Sequence, residues 1–504
     1  MAEATIDPKW AAKQQKAFGK DRANRIARNS VTSMDVMAAA RDVTAMRSYT
    51  DTYGISIPKT GDITNQRQSG RCWMFSAFNV LRQEAIKFLD VDTFEFSQAY
   101  GMFYDKLEKV NSTLEYIIET TNKPADDRLV QTLLTEGIGD GGYYPFAMNL
   151  VKKYGLVPKS AMPETACSKN SDQMDTRIDR LFRKDAALLR KAAANGATLD
   201  ELHATKQKML GDFYKILSVC LGEPPIKFDF ELKVGKNCKA DAKKLSPIEP
   251  SEKTDDADSA KESRKKNTAD KKGEKDEKDE KGAQILRDFG ITPFQFVERY
   301  CNINPENFVA LASIPGTQFP YGKVYRVKHV DSVLGGLKTR CLNVEPEVLE
   351  AATIASLKAG HPVAMACDVM QEFPRRIQDF NYVLSTDTVD FNGLFGVDFD
   401  MDRTSMIDHY ETYLTHAMTF QGVELDKDGK AKQWRIENSW GKDAGKDGYL
   451  IMSADWFRLY GGESDVRREY VSKELLELWD DESKDVEVEL WSGMGRALGG
   501  RGRN

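Results

Sequence analysis

The amino-acid sequence predicts an α+β protein whose helices crowd the first half of the chain and whose strands gather in the second. Three patterns carry this. Met74, Ala77, Phe78, Leu81, Ala85 and Phe88 follow one another at helical spacing. From about Ser171 to Leu221 the same period returns through Ile178, Leu181, Leu189, Leu202, Met209 and Phe213. Between Tyr413 and Phe420 the period shortens to two: Leu414, His416, Met418 and Phe420 alternate with Tyr413, Thr415, Ala417 and Thr419, as in a half-buried strand.

Taken in order, residues 1–50 carry Lys, Arg and Ala at helical spacing and read as one or two helices outside the core, or an oligomer contact. Residues 51–165 form a helical lobe. Ile55-Ser56-Ile57-Pro58 is extended and leads to a polar loop; the Cys72 helix follows, then helices over Phe96–Leu107, Leu114–Thr121, Leu129–Glu136 and Met148–Tyr154. Four glycines between Gly137 and Gly142 exclude an element interior and mark a tight loop. Residues 166–235 are a helical block. Residues 236–282 hold fourteen Lys/Arg and thirteen Asp/Glu without one aromatic, too little apolar area to offset ordering, so disorder is expected there. Strand character returns over 283–480, at Val324–Val327 and Pro362–Ala366, with a helix over Val348–Lys358; residues 481–504 form a C-terminal arm.

Composition narrows the function classes. With 504 residues, 41% hydrophobic and 30% charged, the chain has material for two to three domains and no apolar run of membrane-spanning length. Its charged first 28 residues lack the apolar core of a secretory signal, so a cytoplasmic location is expected. Seven cysteines in a long chain suit a reducing compartment. No C-x-x-C or H-E-x-x-H spacing points to a metal, and a net charge of −6 argues against a nucleic-acid binder.

The chemistry centres on Gln66-Arg67-Gln68-Ser69-Gly70-Arg71-Cys72-Trp73-Met74-Phe75. A thiol in the first turn of a helix meets the positive end of the backbone dipoles, which favours the nucleophilic thiolate, and Ser69 is placed to cap that turn. The amide of Gln66 could join the Cys72 N–H in binding an oxyanion. Cys72 could equally be a small buried hydrophobe. Of five histidines, His203, His329, His361 and His409 fall in the helical block or in turn-rich and polar contexts, whereas His416 sits on a strand's apolar face. The turn Asp426-Lys427-Asp428-Gly429 and the strand Trp434–Asn438 complete a hairpin; folded about residue 427, it sets Asn438 opposite His416. A neutral amide there fixes the imidazole tautomer. Alone, His416 could be a satisfied core histidine.

Three strings, Gln-(five residues)-Cys-Trp-x-Phe at Gln66–Phe75, Thr415-His416-Ala417-Met418 and Asn438-Ser439-Trp440-Gly441, together resemble the papain superfamily in the same chain order. The Ser-Gly-Arg-Cys-Trp form is similar to its bleomycin hydrolase and aminopeptidase C family. The resemblance covers the chain outside 236–282. It implies a papain-like two-lobed core with helical insertions, 166–235 among them, and a homohexamer around a channel. Cys72, His416 and Asn438 would be catalytic and Gln66 the oxyanion residue. Gly141 and Gly142 would bind extended peptide, Trp73 and Trp440 would shield the site, and no cofactor would be used. The implied function is an intracellular cysteine aminopeptidase acting on peptides with a free N-terminus. The alternatives are amide or drug hydrolysis of the bleomycin type and, from another class, a hexameric nucleic-acid-binding scaffold. The tail Leu490–Leu498 resembles the family's arm, which enters the cleft so that its carboxylate meets the substrate's amino group. Here Gly499-Gly500-Arg501-Gly502-Arg503-Asn504 runs on, so an untrimmed arm would misplace that carboxylate.

Overall fold

The computed structural model describes residues 5–248 and 282–499. Its N-terminal extension holds four short helices rather than one or two: Pro8–Lys20, Arg22–Val31, Val36–Ala40 and Val43–Met46. Asp7, Asp21, Asp35 and Asp42 cap them through their carboxylates, each satisfying orphan N–H groups. The first two bury no residue.

The helix Cys72–Leu89 is sheathed on nearly every side, with Met74, Ala77, Ala85 and Leu89 fully buried. Beside it Gln98–Glu119 is one continuous helix where the sequence suggested two. Glu108, Lys109, Ser112 and Thr113, polar residues in the stretch between those two, are all buried in it. The helical block forms Asp172–Ala194 and Leu199–Leu221, the latter opened by a Thr198–Glu201 capping box. Ile178, Phe182, Phe213 and Leu217 from this pair belong to the same contiguous core as Phe103 and Val110. No helix among the described residues is long and apolar enough to cross a membrane.

The second half supplies ten strands of an eleven-stranded sheet among the described residues. Its centre runs Val309–Ala312, Gly461–Val466, Val363–Cys367, His416–Leu425, Ala431–Glu437 and Tyr449–Ser453. Ile55–Ser56 adds to His416–Leu425, so the segment before the Cys72 loop is stitched to the strand that carries His416. A buried ion pair strengthens the junction: Arg82 Nη2 on the Cys72 helix meets Glu437 Oε1 at 2.5 Å, one residue before Asn438.

Of the segment 236–282, residues 249–281 lie outside the described residues. Over 236–248 the expectation of disorder is corrected. Leu245–Pro247 pairs antiparallel with Gln284–Ile291, which also pairs with Phe228–Val234 in a three-stranded sheet. Lys244 forms an ion pair with Asp288 and stands over the Tyr300 ring. A composition average over 47 residues diluted Cys238 and Leu245, which pack against the core. Phe228–Val234 likewise makes the end of the 166–235 block a strand, not a helix. The arm region opens on a 3-10 turn, Glu482–Lys484, followed by a strand, Val486–Val488, beside Lys323–Val327.

Candidate active site

Cys72 opens its helix as the sequence suggested, but Ser69 does not cap it: the Ncap residue is Arg71, without a side-chain bond. The Ser69 hydroxyl donates instead to Gln66 O at 2.7 Å and accepts from Arg71 Nε at 2.9 Å, bracing the turn before the thiol. Arg71, 1% exposed, makes a two-pronged contact with Glu164 at 3.1 and 2.9 Å. The Cys72 N–H lies in the first turn, where helical N–H groups lack intrahelical partners.

Backbone pairing joins this loop to the Asn438 segment. Gln66 N–H donates to Ser439 O at 2.8 Å, Gly441 N–H donates to Thr64 O at 3.1 Å, and Asn65 bridges Trp440. The Gln66 side chain, also buried, accepts from Ser439 Oγ at 2.6 Å and donates one N–H to Ser69 O at 2.6 Å. Its amide carries a second N–H.

His416 begins its strand and is 7% exposed. Nε2 lies 2.9 Å from Asn438 Oδ1, which also accepts from the Ser439 N–H at 2.8 Å. An amide oxygen accepts, so Nε2 carries the hydrogen and Nδ1 is left as the basic nitrogen. The hairpin register differs from that expected: Thr419 opposes Glu437, which continues to Met418 opposite Asn438, so His416 reaches the amide diagonally. The Trp440 ring lies 4.9 Å from the imidazole centroid and covers it. Cys72 and His416 line the same two adjoining cavities, one bounded by Gly142 and Leu498, the other by Gln66 and Trp440. The Ala417 N–H faces the sulfur. Burial pushes the Cys72 thiol up and the His416 imidazole down to about 4, the Asn438 bond working weakly against the latter. For Cys72 taken singly, burial thus outweighs the helix end. Moving the proton from sulfur to ring creates no net charge, so the two ionise most readily as a pair.

The other histidines are elsewhere. His203 bonds Glu115 at 2.8 Å, His361 bonds the Tyr470 hydroxyl at 2.6 Å, His409 bonds Ser405 O at 2.9 Å, and His329 sits edge-on to Tyr116.

Gly141 and Gly142 line the Cys72 cavity, and Trp73 lies beneath them rather than over the imidazole. Its indole N–H donates to Asp140 O at 2.8 Å. A Cβ on Gly142 would stand 2.6 Å from Trp73 Cε2, a contact no side chain tolerates. Gly142→Ala is therefore expected to cost about 1–3 kcal/mol of stability through overpacking, checked by denaturant unfolding.

Sequence reasoning missed what holds this loop. Lys109, fully buried, donates to Gly139 O at 3.2 Å, Gly141 O at 2.6 Å and Asp105 Oδ2 at 2.7 Å. Lys106 spans Asp140 at 2.7 Å and Asp175 at 2.8 Å. Asp140 also accepts from the Gly70 N–H at 3.0 Å and the Ser171 hydroxyl. Although burial opposes it, the Lys106 ammonium with these donors holds the Asp140 carboxyl well below the usual carboxylate range. Helical spacing of Asp105 and Lys109 was the one sequence signal; the remaining partners are distant in the chain.

The arm enters the cleft. Leu498 and Gly499 line the Cys72 cavity, Leu414 N–H donates to Ala497 O at 2.9 Å, and the Tyr143 hydroxyl donates to Gly499 O.

A helix presenting a cysteine to a histidine–amide pair on an adjoining sheet defines a papain-like cysteine peptidase fold. The Peptidase C1-like family matches residues 5–262 and 274–495. The chain belongs to this family, in its bleomycin hydrolase and aminopeptidase C group. Aminopeptidase C of Lactococcus lactis subsp. lactis is 31% identical over 491 residues, 97% of this chain and 99% of that one. Aminopeptidase C of Listeria monocytogenes is 32% identical over 466 residues, covering 92% and 93%. The crystal structure of PepW from Lactobacillus rhamnosis HN001 superposes with a TM-score of 0.85 at 31% identity, covering 99% of each chain.

Proposed function

We propose that this protein is an intracellular cysteine aminopeptidase releasing N-terminal residues from peptides. The observation that carries the reading is the sharing of one cleft by Cys72, the His416–Asn438 pair and the C-terminal arm. His416 Nδ1 takes the thiol proton as Sγ attacks the scissile carbonyl. The resulting oxyanion accepts from the Cys72 N–H and the second N–H of Gln66 Nε2. His416 then protonates the departing amine, the C–N bond breaks and a thioester remains. Water, giving its proton to His416, hydrolyses the thioester and restores the thiol. Asn438 holds the ring throughout and Trp440 keeps water from their bond. Gly141 and Gly142 offer backbone to the substrate main chain. Leu498 and Gly499 limit the acyl side to a short group, which turns a peptide groove into an exopeptidase site. The names of the relatives support this substrate class. The family resemblance supports a cytoplasmic homohexamer.

Amino-acyl coumarin amides compared with their N-acetylated forms test the reading. Cleavage of the free-amine substrates and its loss on acetylation are expected; equal cleavage of both would refute exopeptidase action.

A further inference from the structure

The strand Gly461–Val466 lies two strands from His416–Leu425, with Val363–Cys367 between them. In register, Glu463 opposes Ala366, which opposes Ala417, and Asp465 opposes Ala364, which opposes Thr419. On the other side the two acids oppose Ala312 and Ala310. Directly opposed residues share a face of the sheet, so both carboxylates rise from a floor made almost wholly of alanines. Small side chains leave room above that floor. Glu463 stands about 10 Å across the sheet from Ala417, two strand spacings away, and the Ala417 N–H faces the Cys72 sulfur. The space is the cavity that Cys72, Gly142, Leu498 and Gly499 also line.

Nothing among the described residues neutralises these acids. Glu463 and Asp465 are each 7% exposed, and Asp465 Oδ1 has no hydrogen-bond partner. Arg467 is engaged by Glu84 at 2.6 Å and Arg340 by Asp485 at 2.6 Å. Tyr144 and Cys341, beside the acids, stay neutral, both raised first by burial, and Cys72, Tyr143 and His416 line the same cavity. Of the arm's described residues, Leu498 and Gly499 line this cavity, and neither carries a charge. Burial pushes Glu463 up to about 7 and Asp465 well above the ordinary carboxylate range, with Glu463 adding to the latter, so the pair retains a proton while no cation is near. Two buried carboxyls without donors form an unfavourable arrangement that an ammonium would relieve.

We propose that Glu463 and Asp465 are the receptor for the substrate's α-ammonium group. This rests on the aminopeptidase reading and names the groups that recognise the free amine. With the acyl carbonyl at Cys72, the amine of a single acyl residue turns towards the alanine floor, while the leaving group departs on the Gln66 and Trp440 side. The ammonium supplies three donors and one positive charge, and the proton held by the pair leaves for solvent as the ammonium binds.

The test is calorimetric binding of leucinamide and N-acetyl-leucinamide to the full chain carrying Cys72→Ala, in two buffers of different ionisation heat at neutral pH. Leucinamide is expected to bind with a buffer-dependent enthalpy that reports the released proton. Adding Glu463→Gln and Asp465→Asn, singly and together, should weaken leucinamide at least about tenfold and abolish the buffer dependence. Acetyl-leucinamide should be unaffected. The single variants keep shape and remain informative if the double variant fails to fold. Unchanged leucinamide affinity would overturn the proposal, as would equal loss for both amides. Kinetics separate the two readings. An enzyme that cleaves amino-acyl amides with unchanged KM in the variants loses the receptor and keeps the peptidase; one that binds leucinamide through the pair but cleaves nothing does the reverse.

Discussion

Replacing Cys72 with serine is expected to lower kcat/KM on amino-acyl substrates by at least about 10⁴-fold, the scale seen when a covalent nucleophile is removed. An alcohol ionises far less readily than a thiol, and the surroundings of Cys72 already disfavour negative charge: burial raises even the thiol. The helix end, the Ala417 N–H and an imidazole able to receive the proton suffice for sulfur and fall short for oxygen. The substitution changes little in packing, because the site is 5% exposed and the two side chains differ by one atom. Thermal unfolding should therefore move by only a few degrees, on the order of 1 kcal/mol. Retained turnover with an unchanged melting curve would remove Cys72 from the reaction.

That such a variant could be named from sequence depends on which interactions are local. The start of the Cys72 helix and the strand bearing His416 were legible because apolar periodicity reports the nearest few residues. The hairpin partner was legible in outline. Its register was not, because Asp426 N–H bonds Lys430 O and centres the turn at 428 rather than 427, and an irregularity between Phe420 and Gly422 shifts the pairing again. The match of His416 to Asn438 survived because a 2.9 Å contact can be made diagonally. What stayed hidden are charges whose partners are far along the chain. Nothing local marks Lys106 and Lys109 as buried, and only the fold brings the carbonyls of the glycine loop around them. Glu463 and Asp465, at alternate positions after two glycines, resemble an exposed edge; they are interior because neighbouring strands flank them on both sides. Asn65, Gln66 and Trp440 are joined by backbone pairing, which no side-chain pattern announces.

His416→Ala is expected to match the loss from Cys72→Ser, about 10⁴-fold in kcat/KM, and to erase the acid limb of the pH profile. In the unsubstituted enzyme that limb should turn near pH 4, not near 6.5. Burial, the larger cause, lowers the imidazole to about 4, while the Asn438 bond partly restores it and Arg375 opposes the added charge. A proton added to the resting pair leaves one unneutralised positive charge in the cleft, so the medium must become acidic before activity falls. The profile of kcat/KM reports this ionisation in the free enzyme. Stability follows with a definite sign. Because the folded value lies below the unfolded one, His416 contributes stability above about pH 6.5 that is lost as pH falls towards 4. His416→Ala removes that dependence, so its unfolding free energy should fall less steeply over the same window than that of the unsubstituted chain. An acid limb of the unsubstituted enzyme near 6.5, or one that survives in His416→Ala, would mean that another group carries the proton. The structure leaves no other histidine at the cleft to do so: His203, His329, His361 and His409 all meet partners elsewhere in the fold.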